Sequence, residues 1–250
     1  MRIGILGAMK EEVSLLIKSL GEYSTKEIGG KAFHSGMLDG HDITVAFSRW
    51  GKVASASTAT SFISNFGVEL VIFTGVAGAV EDNVRIGDVV IASQLVQHDM
   101  DARPFFDKFQ IPLTDHIFFT PAANFQDKAN SAAETFISDE LKTACSAEAL
   151  LKFSISSPKV RRGIIASGDK FISKKEDQER LKEEIPGLIA VEMEGAAVAQ
   201  VCEDHNIPYV VIRTISDTAD HNAELDFPGF VNSVANYYSE GIVKRFIKSL

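Results

Sequence analysis

The chain has two cysteines, Cys145 and Cys202, in 250 residues. That is too few for a disulfide framework or a thiolate zinc site, and it fits a reducing compartment. A basic excess is also missing. Lys and Arg number 25 against 34 Asp and Glu, for a formal charge of −9. Nucleic acid and anionic membrane both want a cationic face, so neither is expected as a partner. No apolar run approaches the ~20 residues of a membrane span. The apolar start, Met1 to Met9, is cut short by Lys10-Glu11-Glu12 before it reaches the length of a signal-peptide core. Repeats, low-complexity tracts and linkers are absent as well. These absences predict a cytoplasmic protein with one domain over residues 1–250.

What remains is a chain that is 45% hydrophobic with 17 Phe, enough for a sizeable core. Its most informative stretch is Leu188 to Ala197. An apolar run, Leu188 to Val191, meets Glu192-Met193-Glu194, and Gly195-Ala196-Ala197 then opens a helical pattern. This reads as a buried strand handing over to a helix. In an open α/β sheet, ligands bind beyond the carboxyl ends of the strands. A carboxylate there offers only acceptors and suits adjacent donors such as a ribose diol. A solvated strand end with one glutamate in a salt bridge is the plainer alternative.

Other strand ends carry similar features. Arg2 to Ala8 reads as a first strand, followed by a helix from Glu11 to Leu20 that holds Glu12 in its first turn. Acids are common there because they complement the helix dipole. Gly4 and Gly7 lack the spacing of a dinucleotide fingerprint. Lys31–Met37 and Asp42–Ser48 suggest a hairpin turning at Asp39-Gly40. A helix is predicted over Val53–Asn65, and a strand over Glu69–Phe73 that ends in a glycine turn, Thr74 to Ala79. Further strands are predicted over Ile86–Ala92, Val160–Ala166 and Tyr209–Ile215, the last ending at Ser216-Asp217. Helices are expected over 124–152, broken near Ser138-Asp139, over 174–184, and over 227–250. His98-Asp99-Met100-Asp101 is not echoed by further ligands, so no metal is expected. The irregular segment from Ala102 to Pro121 carries Phe105, Phe106, Phe109, Phe118 and Phe119. Those rings imply either a flap over the core or a subunit interface.

Five motifs, G-A-M-K-E-E, T-G-V-A-G, S-G-D-K-F-I, V-E-M-E-G-A and R-T-I-S-D, run in this order over residues 7–217. Together they resemble the 5′-methylthioadenosine/S-adenosylhomocysteine nucleosidases of the nucleoside phosphorylase/nucleosidase superfamily. The resemblance implies a mixed central β-sheet flanked by helices in a single α/β domain. It implies Glu12 as the group that activates water and Asp217 as the acid that protonates adenine N7, with Ser216 and Arg213 helping to set the site. Glu194 would bind the ribose hydroxyls over Met193, Phe171 would stack on adenine, and Ile172 would read its edge. Gly78, Met9, Trp50 and Phe227 would complete the pocket. The family is homodimeric, and the loop around Phe105 would reach the neighbouring subunit's site. No cofactor is implied.

Breaking an N-glycosidic bond needs an acid on the base side and an activated water on the sugar side. Glu12 must then be ionised and Asp217 held neutral. Two departures from the family pattern stand out. Val76 replaces a common Ser, which leaves only the backbone to act there, and Trp50 replaces a smaller aliphatic residue beside the 5′ substituent. A purine nucleoside phosphorylase would recruit arginines for phosphate, but Phe73 stands where such relatives carry one. A non-catalytic nucleoside-binding module is the other alternative. The residues leave open the choice among methylthioadenosine, S-adenosylhomocysteine, 5′-deoxyadenosine and aminodeoxyfutalosine.

Overall fold

The computed structural model describes residues 1–218 and 223–250. The first half of the chain forms β1 (Arg2–Gly7), α1 (Lys10–Ser19), β2 (Tyr23–Ile28), β3 (Lys31–Leu38), β4 (His41–Phe47), α2 (Lys52–Phe66), β5 (Leu70–Ala79) and β6 (Val89–Gln97). The second half forms α3 (Ala123–Thr135), α4 (Leu141–Ala144), α5 (Ala147–Lys152), β7 (Val160–Ser167) and α6 (Lys175–Glu184). After these come β8 (Leu188–Glu192), α7 (Gly195–Asp204), β9 (Tyr209–Asp217), α8 (Ala223–Phe230) and α9 (Asn236–Lys248).

Side-chain parity along β1 sorts the helices into two layers. Ile3 and Ile5 join a core with Val13 and Leu16 of α1 and Tyr238, Ile242 and Phe246 of α9. Leu6 faces the other way, into a core with Phe62 of α2 and Val198 and Cys202 of α7. Both faces of the sheet are therefore covered, which is why its central strands read as continuous apolar runs.

The sheet order is β2-β3-β4-β1-β5-β8-β7-β6-β9, with an additional β5–β9 pairing. Strand β5 runs parallel to β1 and β9, and its last residues, Gly78 and Ala79, pair antiparallel with β8. The five strands β5, β8, β7, β6 and β9 thus close on themselves, and the mixed sheet gathers several strand ends around one point.

The T-G-V-A-G-A stretch, expected as a turn, is the second half of β5, and all ten residues of that strand are buried. Its glycines mark a strand crowded by three neighbours, so tertiary pairing overrides the turn signal. Strand β2 escaped the sequence reading because it is an exposed edge with no apolar alternation. Strand β6 begins three residues later than expected, after a turn at Gly87 with φ 88°. The helix break expected near Ser138-Asp139 is a π-helical turn, Phe136–Glu140, and a second one, Val231–Ala235, joins α8 to α9. Tyr237 of the last helix is exposed. Between Ala102 and Pro121 the chain is irregular, and its aromatics divide. Phe109 and Phe119 are buried, whereas Phe105 is 86% exposed. Among the described residues, no helix is long and apolar enough to cross a membrane.

Candidate active site

A cavity of about 540 Å³ opens where β1, β5, β7, β8 and β9 end. This size suits a nucleoside-sized ligand. Its walls include Met9, Glu12, Trp50, Gly78, Phe171, Ile172, Met193, Glu194, Ser216, Asp217 and Phe227. Of the side chains singled out in the sequence, only Arg213 and Phe105 do not line it.

Glu12 is the third residue of α1, and its carboxylate folds back over the helix N-terminus. Oε2 accepts the N–H groups of Ala8 at 2.7 Å and Met9 at 2.8 Å, while Oε1 accepts that of Val76 at 3.0 Å. It does act as a helix-capping acid, but it is also 98% buried against β5 (2% exposed). Gly75 makes this approach possible. It has φ 157°, and a Cβ there would lie 2.5 Å from Glu12 Oε1. Its glycine therefore makes room for this carboxylate. Burial raises the proton affinity of Glu12 above the ordinary value, opposed by the charge of Arg213 and by the three N–H groups. The Val76 side chain donates nothing, but its backbone N–H supplies one of those three bonds.

The two glutamates that close β8 take different roles. Glu192 is the structural one. Its Oε2 meets Arg213 Nη2 at 2.5 Å, and it accepts the Gly195 N–H at 2.8 Å and the Glu194 N–H at 3.2 Å at the start of α7. Ser167 Oγ also donates to it. Glu194 also borders the cavity, and among the described residues its Oε1 accepts the Gly51 N–H, at 2.8 Å. Burial first, and the neighbouring charge of Glu192 second, raise its proton affinity well above the carboxylate range. Gly51 sits at φ 94°, where a side chain would be strained and would meet Asp169.

Arg213 lies one layer behind the cavity, 1% exposed, with its guanidinium 3.8 Å from the centroid of the Phe73 ring. Implied by the resemblance to help set the site, it holds Glu192 and places a buried positive charge felt by Glu12 and Glu194. At the end of β9, Ser216 Oγ donates to Asp217 Oδ2 at 2.7 Å, and Asp217 is 2% exposed. Gly78 pairs with Asp217 and with Val191, which ties three strands together at the cavity floor. Phe227 packs edge-on against both Phe171 and Trp50, each at 5.8 Å between centroids. Trp50 is 52% exposed, so it does not anchor the core.

Sequence reasoning missed the backbone donors Ala8 and Gly51, which carry no side-chain signal. It also missed Lys170, which borders the cavity while paired with Asp177 at 2.6 Å. Around His98, Asp99 binds Lys52 Nζ at 2.6 Å, and no cluster of three metal-ligating side chains exists among the described residues.

Comparison with known proteins matches this geometry. The sequence profile of the phosphorylase superfamily fits residues 2–248. The chain is 38% identical to an aminodeoxyfutalosine nucleosidase from Helicobacter pylori, over all of this chain and 97% of that protein. It is 34% identical to a 5′-methylthioadenosine/S-adenosylhomocysteine nucleosidase from Shewanella putrefaciens, over the full length of both. Among solved structures, the Neisseria meningitidis 5′-methylthioadenosine/S-adenosylhomocysteine nucleosidase in complex with methylthio-immucillin-A superposes with a TM-score of 0.88. It is 30% identical, over 100% of this chain and 99% of that one. With its whole length matched in sequence and in fold, the chain belongs to the phosphorylase superfamily and stands with that family's nucleosidases, which are N-glycosyl hydrolases.

Proposed function

We propose that the protein hydrolyses the N-glycosidic bond of adenine nucleosides altered at the 5′ position. 5′-Methylthioadenosine and S-adenosylhomocysteine are the first candidates, with 5′-deoxyadenosine and aminodeoxyfutalosine in the same class. Glu12 takes a proton from a water whose oxygen attacks C1′. As the C1′–N9 bond breaks, its electron pair passes to the purine, and Asp217 protonates N7. Adenine and the 5-substituted ribose leave. Glu194 accepts hydrogen bonds from the ribose hydroxyls, Met193 lies beneath the sugar, Phe171 stacks on adenine and Ile172 reads its edge. The protein works as a cytoplasmic homodimer in methionine salvage, with the Phe105 loop reaching the partner's cavity.

The observation that carries this reading is the charge balance around the cavity. Glu12, Glu192 and Glu194 are all buried there, and Arg213, the single buried arginine beside them, is already paired with Glu192. With its arginine already engaged, such a site offers phosphate no free guanidinium and favours neutral water as the nucleophile. A pure nucleoside binder would use the diol contact at Glu194 but has no need of a second desolvated carboxylate at Glu12. The test is to incubate the protein with methylthioadenosine, with and without phosphate, and to identify both products. Free adenine with methylthioribose in either buffer supports hydrolysis. A phosphate-dependent sugar 1-phosphate would make it a phosphorylase, and intact nucleoside would leave it a binding module.

A further inference from the structure

Trp50 has a cavity on each side. Toward Phe227 it lines the candidate active site, and on its other side it lines an open groove of about 710 Å³ that also includes Lys31, Arg49, Gly51 and Asp169. The charges in this groove are unusual for the molecule. Lys31 is 8% exposed, and its Nζ donates to the Ala54 carbonyl at 2.9 Å. Arg49 is exposed, and its Nη2 donates to the Gly30 carbonyl at 2.7 Å, which fixes the guanidinium at the groove's edge. Among the described residues, neither cation is ion-paired. The other two lysines near the active site do have partners, Lys52 with Asp99 and Lys170 with Asp177, each at 2.6 Å. Asp169 lines the same groove, but its Oδ1 accepts the Lys52 N–H at 2.8 Å and holds the start of α2.

Two like charges side by side without a counterion raise the energy of the folded protein. Burial and the charge of Arg49 both lower the proton affinity of Lys31. In a chain of net charge −9, carboxylates are abundant, yet among the described residues none is ion-paired with Lys31 or Arg49, and Asp169 in the same groove is bound by the Lys52 N–H. An anionic group entering the groove would relieve the repulsion and gain charge-assisted hydrogen bonds.

We propose that this groove receives the far end of the 5′ substituent, and that Arg49, backed by Lys31, binds a carboxylate there. The inference rests on the nucleosidase reading and narrows it to adenine nucleosides whose 5′ tail ends in a carboxylate. The adenine and ribose occupy the inner cavity, the tail runs past the Trp50 ring, and its carboxylate meets the guanidinium. An amino-acid tail and an aryl acid share this chemistry.

The test compares kcat/KM for three substrates: 5′-butylthioadenosine, 5′-carboxypropylthioadenosine, which replaces the terminal methyl of the first by a carboxylate, and S-adenosylhomocysteine. Because Lys31 is nearly buried, the exposed Arg49 carries the experiment. Arg49→Gln should lower the carboxylate-to-butyl ratio about tenfold, and Arg49→Lys should restore much of it. In the native protein the same ratio should fall at about 0.5 M salt through screening. A matching fall for S-adenosylhomocysteine extends the site to amino-acid tails, whereas a fall with carboxypropyl alone confines it to simple acids. A ratio that stays within about twofold in Arg49→Gln and ignores salt overturns the groove while leaving hydrolysis intact. If the native protein frees no adenine from the butyl compound, the nucleosidase reading fails and this inference fails with it.

Discussion

Replacing Glu12 by Gln separates the chemistry of that residue from its structural duty, because the structure assigns a size to each. The carboxylate serves three backbone donors, Ala8 and Met9 on Oε2 and Val76 on Oε1. A glutamine has one acceptor oxygen. Placed where Oε2 lies, it keeps the Ala8 and Met9 bonds, but its NH2 then faces the Val76 N–H, donor against donor. One buried donor left unpaired costs about 1–3 kcal/mol. At about 2–4 °C per kcal/mol for a chain of this size, the melting temperature should fall by roughly 2–12 °C. Removing a positioned base should cost about 10²–10⁴-fold in kcat. Adenine release followed spectroscopically, with circular dichroism and a melting curve on the same samples, reads both effects. In the native protein, kcat should fall as pH drops through the raised pKa of Glu12, above its ordinary 4.5, because the base must be ionised. The reasoning is refuted if Glu12→Gln keeps kcat within about tenfold of native while folded.

Three further outcomes are expected. Glu194 is held in a buried site beside Glu192, so its folded-state pKa exceeds its ordinary 4.5. The stability it contributes is full below that ordinary value and is lost as pH rises through the folded one. Glu194→Gln should therefore melt higher relative to native at pH 8 than at pH 5, while KM for methylthioadenosine rises; an equal difference at both pH values would contradict this. Trp50→Ile removes a half-exposed ring from between the two cavities and should shift relative kcat/KM toward S-adenosylhomocysteine, by about 1–3 kcal/mol per methylene-sized change in the wall. Unchanged ratios, with native tryptophan emission indifferent to a bound methylthioadenosine analogue, would remove Trp50 from the substrate path. Phe105→Glu should weaken self-association and raise KM together, as seen by sedimentation and kinetics, and a fully active monomer would contradict the shared site. Phe109 is unsuitable for that test because it is buried within its own chain.

Most of the architecture is legible in the sequence because it is carried by apolar periodicity. The strands buried on both faces were anticipated, from Arg2–Gly7 to Tyr209–Asp217, although β5 and β6 run on to Ala79 and Gln97, past their expected ends at Phe73 and Ala92. The failures are those that periodicity cannot register. Strand β2 is exposed along most of its length, so beyond the backbone ladder its pairing with β3 draws on polar and ring contacts, such as those of Thr25 and Tyr23 with His34, that leave no apolar alternation to read. The second half of β5 looks like a turn because glycine is the usual residue of turns, whereas here glycine answers to crowding by Glu12 and by a third strand.

The site was legible to a different degree, and the Glu192-Met193-Glu194 triplet shows why. From spacing alone, one glutamate in a salt bridge and one facing a ribose are competing explanations of the pair. The structure contains both arrangements, and the fold decides which residue takes which. Glu192 ends β8 level with the first N–H groups of α7, so the helix terminus and Arg213 claim it. Glu194, two residues on at the N-cap of α7, lines the cavity beside it, and the Gly51 N–H binds its Oε1. Gly51 belongs to the other side of the molecule, 143 residues away in sequence, and it contributes a backbone atom that no motif can display. The pairing of Arg213 with Glu192 has a further consequence. That bond neutralises the structural carboxylate and engages Arg213, so this guanidinium is not free to hold a phosphate.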